Sequence, residues 1–166
     1  ALIVCSAERA SALGVPRERW VFPHSGADCH EHPLVSERDR LDEVPAVRAG
    51  ATLALDLAHV SLADVDLIDL YSCFPSAVQL GARAIGLDPY GDRPLTLTGG
   101  LSFMGGPWNN YVMHAIATAV ERLRGEGERA FVRIHREAAL NAAEHSDCLS
   151  DWLRRGLMRR RARESS

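Results

Sequence analysis

The 166-residue sequence contains no lysine; all nineteen of its cationic side chains are arginine. That absence excludes a P-loop lysine on a phosphate, a Schiff-base lysine and a lysine general base. With 23 alanines in the chain, it reads as the mark of a GC-rich coding sequence. Cysteine is sparse. Cys5, Cys29, Cys73 and Cys148 are scattered, with no Cys-x-x-Cys pair, a pattern that suits a reducing cytoplasm better than a disulfide framework. No stretch reaches the roughly eighteen apolar residues of a membrane span, and no signal peptide is visible.

Hydrophobic residues make up 46% of the chain, enough for a core of its own. The net charge of −3 gives no reason to expect a nucleic-acid partner for the chain as a whole. The charge is divided unevenly. Residues 1–130 carry 11 Arg against 17 acids, and residues 131–166 carry 8 Arg against 5 acids.

Ala1–Cys5 is an apolar run that reads as a buried strand, followed by a short helix with Ser6 as N-cap and Gly14-Val15-Pro16 as its stop. A buried strand at the first residue suggests a processed product or a piece of a larger fold. Residues 21–42 form a polar loop without helical or strand period. Residues 43–58 form an amphipathic helix, apolar at Val44, Val47, Ala51, Ala54, Leu55 and Ala58, with Pro45 in its first turn. Residues 65–71 read as a strand, Pro75 to about Ile85 as a helix stopped by Gly86, and 95–98 as a short strand. A helix then runs from about residue 111, with Val112, Ala115, Ile116, Ala119, Val120 and Leu123 on one face. Its first half is apolar all round, so it should be buried on all sides and emerge only from Glu121. The alternation of strand and helix indicates an α/β layered domain.

Before that last helix stands Gly99-Gly100-Leu101-Ser102-Phe103-Met104-Gly105-Gly106-Pro107. A glycine-rich loop feeding a buried helix N-terminus gathers backbone N–H groups, an arrangement suited to an oxyanion or a thioester carbonyl.

Two segments, YSCFPSAVQ (Tyr71 onward) and GGLSFMGGPWNNYVMHAI (Gly99 onward), together with the element order around them, resemble the C-terminal half of the thiolase superfamily. The likeness is to its acetyl-CoA acetyltransferase-like and sterol-carrier-protein-type branch, over roughly residues 1–125. The resemblance implies an α/β/α layered half with a mixed sheet, here incomplete. Residues 1–20 would end the N-terminal half, 21–42 form the polar loop, 43–130 the C-terminal thiolase-like domain, and 131–166 a divergent Arg-rich tail. It implies acyl transfer in lipid metabolism on coenzyme A thioesters, which serve as substrates, with no covalently bound cofactor. It also implies a homodimer for the intact relative, and a small OB-fold or zinc-ribbon protein as a possible partner.

Residue by residue, much of the family's machinery does not carry over. Its nucleophilic cysteine belongs to the N-terminal half. Tyr71 stands where the family has an Asn or His that helps build an oxyanion hole; a phenol can also donate a hydrogen bond there. Gly106 replaces the histidine of the family's Gly-His-Pro motif. His114 is the nearest histidine. The resemblance thus proposes Tyr71, Cys73 and His114 as catalytic candidates. It proposes Ser72, Phe74, Gly99, Gly100, Gly105, Gly106, Pro107, Asn109 and Asn110 as substrate-binding ones. Each has a plainer reading. Cys73 suits a small buried hydrophobe, His114 a satisfied helix histidine, and the asparagines helix caps. The thiolase-like enzyme reading thus stands beside a non-catalytic subunit that binds acyl-CoA or a partner protein.

His24, Cys29, His30 and His32 have metal-ligand chemistry, but HSGADCHEH is not a closed-site spacing, and no metal is expected. In the tail, residues 150–163 admit a basic helix with Trp152, Leu153, Leu157 and Met158 on one side, a shape that suits nucleic acid or an anionic membrane. The favoured reading is that the frame departs from the family near Arg129–Arg136, because the family's terminal motif is missing there. The coding DNA checks this: an alternative frame after residue 129 should encode a Gly-rich segment followed by a Leu-Thr-Lys-His-like motif.

Overall fold

The computed structural model describes residues 1–125, 129–132 and 157–159. Five helices appear among them: α1 (Ala7–Ala12), α2 (Pro45–Ala58), α3 (Pro75–Ala84), α4 (Leu101–Met104) and α5 (Tyr111–Gly125). Four strands, β1 (Phe22–Ser25), β2 (Leu67–Asp69), β3 (Arg129–Val132) and β4 (Leu157–Arg159), form one sheet in the order β1-β4-β3-β2. The β2–β3 pair is parallel, while β3–β4 and β4–β1 are antiparallel.

The helix ends follow local chemistry. Ser6 Oγ accepts from the Arg9 N–H at 3.2 Å and caps α1. Pro45 and Pro75 open α2 and α3, where no intrahelical N–H is required. The second N-terminal amide of α2 is capped from a distance: Ala46 N–H donates to Glu31 Oε1 at 2.7 Å, setting a carboxylate on the positive end of the helix. The loop preceding α2 is further fixed by Ser25 Oγ, which donates to the Ala54 carbonyl at 2.6 Å in a buried setting.

The two sides of β2 meet different helices, as strand alternation requires. Ile68 and Leu70 join Ala51 and Ala54 of α2, Val65, and Ala82 of α3 in one buried cluster. Leu67 lies against the other, built on Tyr111, Val112, Ala115, Ile116, Ala119 and Leu123 of α5. None of residues 111–120 is fully exposed, but Met113, His114, Ala117, Thr118 and Val120 are only half-buried, so the first half of α5 is not buried on all sides as expected; its first exposed position is Glu121. Arg124 Nε donates to the Arg19 carbonyl at 3.0 Å, tying the segment after α1 to the outer end of α5.

Four further expectations from the sequence are corrected. Residues 1–5 are not a strand; Ile3 is 91% exposed, and only Leu2 leans on the α5 cluster. An apolar run becomes a strand only beside a ladder partner, and none is present among the described residues. Residues 95–98 are also irregular. Their single ladder-like bond, Leu70 N–H to the Leu95 carbonyl at 2.8 Å, gives way to side-chain bonds described below. The polar loop is not wholly irregular, because it contains β1. Finally, Leu157, Met158 and Arg159 are extended and paired between β1 and β3, so a basic helix through them is not formed; the rest of that proposed helix lies outside the described residues. Arg129–Val132, where the frame departure was placed, pairs in parallel with β2.

Because Ile68 is 1% exposed inside its cluster, Ile68→Ala should destabilise the protein by about 2–5 kcal/mol. Leu53→Ala, on the open face of α2, should change stability by no more than about 0.5 kcal/mol. Urea denaturation of both variants checks the contrast, and equal effects would place the core elsewhere.

Candidate functional site

β2 delivers Tyr71-Ser72-Cys73-Phe74 to the N-terminus of α3, and the segment from Leu95 brings Gly99–Pro107 to the start of α5. The two loops meet through side chains. Ser72 Oγ accepts from the Leu101 N–H at 3.1 Å. Gly100 packs so closely that a Cβ there would lie 3.0 Å from Ser72 Oγ, and its φ of +89° disfavours any L side chain. Thr98 Oγ1 accepts from the Gly100 N–H at 3.1 Å and shares a 2.6 Å hydrogen bond with the Tyr111 hydroxyl. The Tyr71 ring stands edge-on to Tyr111, with centroids 5.2 Å apart.

Beneath this junction lies Asp69, which is 0% exposed. Its Oδ1 accepts from the Leu97 N–H at 2.7 Å and more weakly from the Thr98 N–H at 3.4 Å. Its Oδ2 is buried with no hydrogen-bond partner among the described residues. Burial pushes the carboxyl's pKa up, against the pull of those two N–H bonds and of the neighbouring Thr98 and Tyr111 hydroxyls, which lie close to the carboxyl without making a well-formed hydrogen bond to Oδ2. Burial also raises the Tyr111 phenol, and the neighbouring Asp69 charge adds to the rise, while hydrogen bonding with Thr98 and Ser72 opposes it.

The glycine loop engages many of its own amides. Gly100 N–H goes to Thr98, Leu101 N–H to Ser72, Phe103 and Met104 N–H to the Gly100 carbonyl, and Gly105 N–H to the Leu101 carbonyl. Its outer part is open: Gly99, Gly105 and Gly106 are exposed and Pro107 is half-buried. Trp108, at φ +52°, starts the 3-10 turn that contains Asn109 and Asn110. Asn110 is exposed, and its N–H donates to the Pro107 carbonyl at 3.1 Å.

Of the sequence-derived candidates, Ser72 and Gly100 are brought into direct contact, and Tyr71 joins them through Tyr111. Cys73 is a half-buried free thiol. Phe74 is 69% exposed beside it in sequence. His114 lies one turn along α5 from Tyr111 and is half-buried, with a buried Nδ1 that has no partner among the described residues. The histidine loop is engaged otherwise. His30 pairs with Asp28 at 3.6 Å, His32 with Glu37 at 3.9 Å, and Glu31 caps α2. No cluster of three His, Cys, Asp or Glu suited to a metal ion occurs among the described residues.

Sequence reasoning missed Asp69, Thr98 and Tyr111. The available signal was Asp69 itself, an acid inside the apolar run VDLIDL two positions before the YSCF segment. It shares the α5-facing side of β2 with Leu67 and so cannot reach solvent.

Several solved structures resemble the chain. One of them is described as a monomeric SCP2-thiolase-like protein type 1 from Mycobacterium smegmatis. The TM-score is 0.71 and the sequence identity 45%, over 76% of this chain and 28% of that one. The chain therefore has a thiolase-like fold and spans little more than a quarter of that protein's length. That protein is described as monomeric, so it lends no support to the homodimer expectation. No family model and no curated protein matches the chain. Among the described residues no helix is long and apolar enough to cross a membrane.

The raised Asp69 pKa has a defined effect on stability. From the ordinary value of 3.8 up to its own, the folded protein holds a proton that the unfolded chain has lost, so stability falls as pH rises through that window. Asp69→Asn carries no such proton. Its urea midpoint relative to wild type should therefore improve as pH rises above 3.8 and level off once the folded carboxyl has ionised. A difference that stays constant with pH would show that no charge is being buried at this position.

Proposed function

We propose that this chain is the C-terminal, layered α/β/α part of a thiolase-like acyl-CoA acyltransferase of the acetyl-CoA acetyltransferase type, acting in fatty acyl metabolism. In this reading its residues hold a coenzyme A thioester and do not attack it. The observation that carries the proposal is the Ser72–Leu101 hydrogen bond. It joins the two segments that resemble the superfamily, and the likeness to an SCP2-thiolase-like protein supports the same reading.

The proposed roles extend the family resemblance. Tyr71 offers a phenol donor toward the thioester carbonyl, and Phe74 offers exposed apolar surface to the acyl chain. Cys73 lines the acyl end. Gly105, Gly106 and Pro107 are the open part of the glycine loop, next to the asparagines of the following turn. Gly106 has no side chain with which to take a proton, so activation of a nucleophile at that position is not available here. This favours a second reading, a non-catalytic thiolase-like subunit that binds acyl-CoA or a partner protein. Cytoplasmic location and a small OB-fold or zinc-ribbon partner belong to the same proposal.

Acetyl-CoA at ten times its dissociation constant should stabilise the purified 166-residue chain by about 1.4 kcal/mol in thermal denaturation. CoA-dependent cleavage of a 3-ketoacyl-CoA should stay at the level of a no-enzyme control. Stabilisation without turnover supports the holding role, turnover would overturn the claim that these residues do not catalyse alone, and no stabilisation would overturn the site. Gly100→Ala, which drives a Cβ against Ser72 Oγ, should abolish the stabilisation.

A further inference from the structure

The loops that carry the site are held to one another almost without backbone pairing. After Leu70 N–H meets the Leu95 carbonyl, the connection passes through three side chains. Asp69 takes the Leu97 and Thr98 amides. Thr98 takes the Gly100 amide and is fixed by Tyr111. Ser72 takes the Leu101 amide. Asp69 is the root of this chain, because its Oδ1 decides where Leu97 and Thr98 leave the sheet edge. A buried carboxyl with one oxygen unpartnered is costly to keep. A side chain needed only to fill space at this point would be apolar. What an apolar residue cannot supply is the acceptor that turns 97–98 away from β2 and aims Gly100 at Ser72.

We propose that Asp69 is a positioning residue, setting the register of Gly100 and Leu101 against Ser72 so that the two loops form one pocket. The consequence for ligand binding rests on the acyl-CoA reading above; the consequence for the loops does not.

Amide hydrogen exchange and acetyl-CoA titration on the full chain separate these. In Asp69→Ala, exchange at Leu97, Thr98, Gly100 and Leu101 should quicken by about two- to tenfold, the size of one lost hydrogen bond. Amides of Ala51 and Ala54 in α2 should keep their wild-type rates. Asp69→Asn retains the Oδ1 acceptor and can donate toward the Thr98 and Tyr111 hydroxyls, so it should restore both slow exchange and acetyl-CoA affinity. Thr98→Val should quicken Gly100 and leave Leu97 unchanged. Unaltered Gly100 and Leu101 exchange in a folded Asp69→Ala, or an Asp69→Asn as impaired as the alanine variant, would overturn the proposal. Should Asp69→Ala not fold, unaltered Gly100 exchange in Thr98→Val overturns it equally. Wild-type protein that fails to bind acetyl-CoA removes the acyl-CoA reading while the exchange measurements still decide the role of Asp69.

Discussion

The arrangement of this site depends on a carboxylate doing the work of a β-strand. At the edge of β2 the next segment would ordinarily continue the sheet through backbone bonds. Here Asp69 Oδ1 takes the Leu97 and Thr98 amides instead. A side-chain acceptor reaches further from the strand than a backbone carbonyl does, so the segment is held yet diverges. Divergence is what gives Gly99 and Gly100 room to turn and brings α4 over Ser72. The cost is an acid at zero exposure with one free oxygen. The two N–H bonds offset part of that cost, and burial shifts the carboxyl toward its protonated form.

From that root the tolerance for change narrows outward. Thr98 serves as acceptor for Gly100 and as partner for Tyr111, so its hydroxyl cannot be lost without freeing both. Tyr111 is almost fully buried at the head of α5 and carries Tyr71 on its edge. A Cβ on Gly100 would press on Ser72 Oγ at 3.0 Å and be strained by its φ of +89°. The site is thus assembled from hydroxyls, one carboxyl and one glycine, each in van der Waals or hydrogen-bond contact with the next. The hydrophobic clusters on either side of β2 hold the platform still.

The helices were legible in the sequence because their information is local. Proline at the first turn of α2 and α3, a 3.6 period through α5, and the first exposed position at Glu121 all follow from neighbours a few residues away. The strands were not, for the opposite reason. Ala1–Cys5 has strand composition without a ladder partner among the described residues, and Leu95–Thr98 has strand composition but meets a carboxyl. β1 acquires extended structure by pairing with Leu157–Arg159, more than a hundred residues away, and neither partner shows a pattern that announces the other. The motifs that resemble a thiolase were visible as strings, while their junction was not. Asp69 in VDLIDL falls on the same strand face as Leu67, and only the packing of that face against α5 shows that it is buried.

Accounting for the glycine loop's donors narrows what a ligand would meet. A loop of this kind reads as a nest of free amides, but the inner N–H groups at Gly100, Leu101, Phe103, Met104 and Gly105 are already engaged within the protein. An incoming carbonyl could take them only by displacing Ser72, Thr98 or the turns of α4. Under the proposed acyl-CoA reading, polar recognition would therefore fall to the rim, at the exposed end of the loop around Gly106. The interior bonds serve a different purpose, holding the rim rigid, and rigidity before binding lowers the entropy lost when a ligand arrives. A site organised in this way fits the proposed holding of a thioester better than the activation of a nucleophile. Its side chains are committed to one another, and Gly106 leaves no base where the family's histidine would stand.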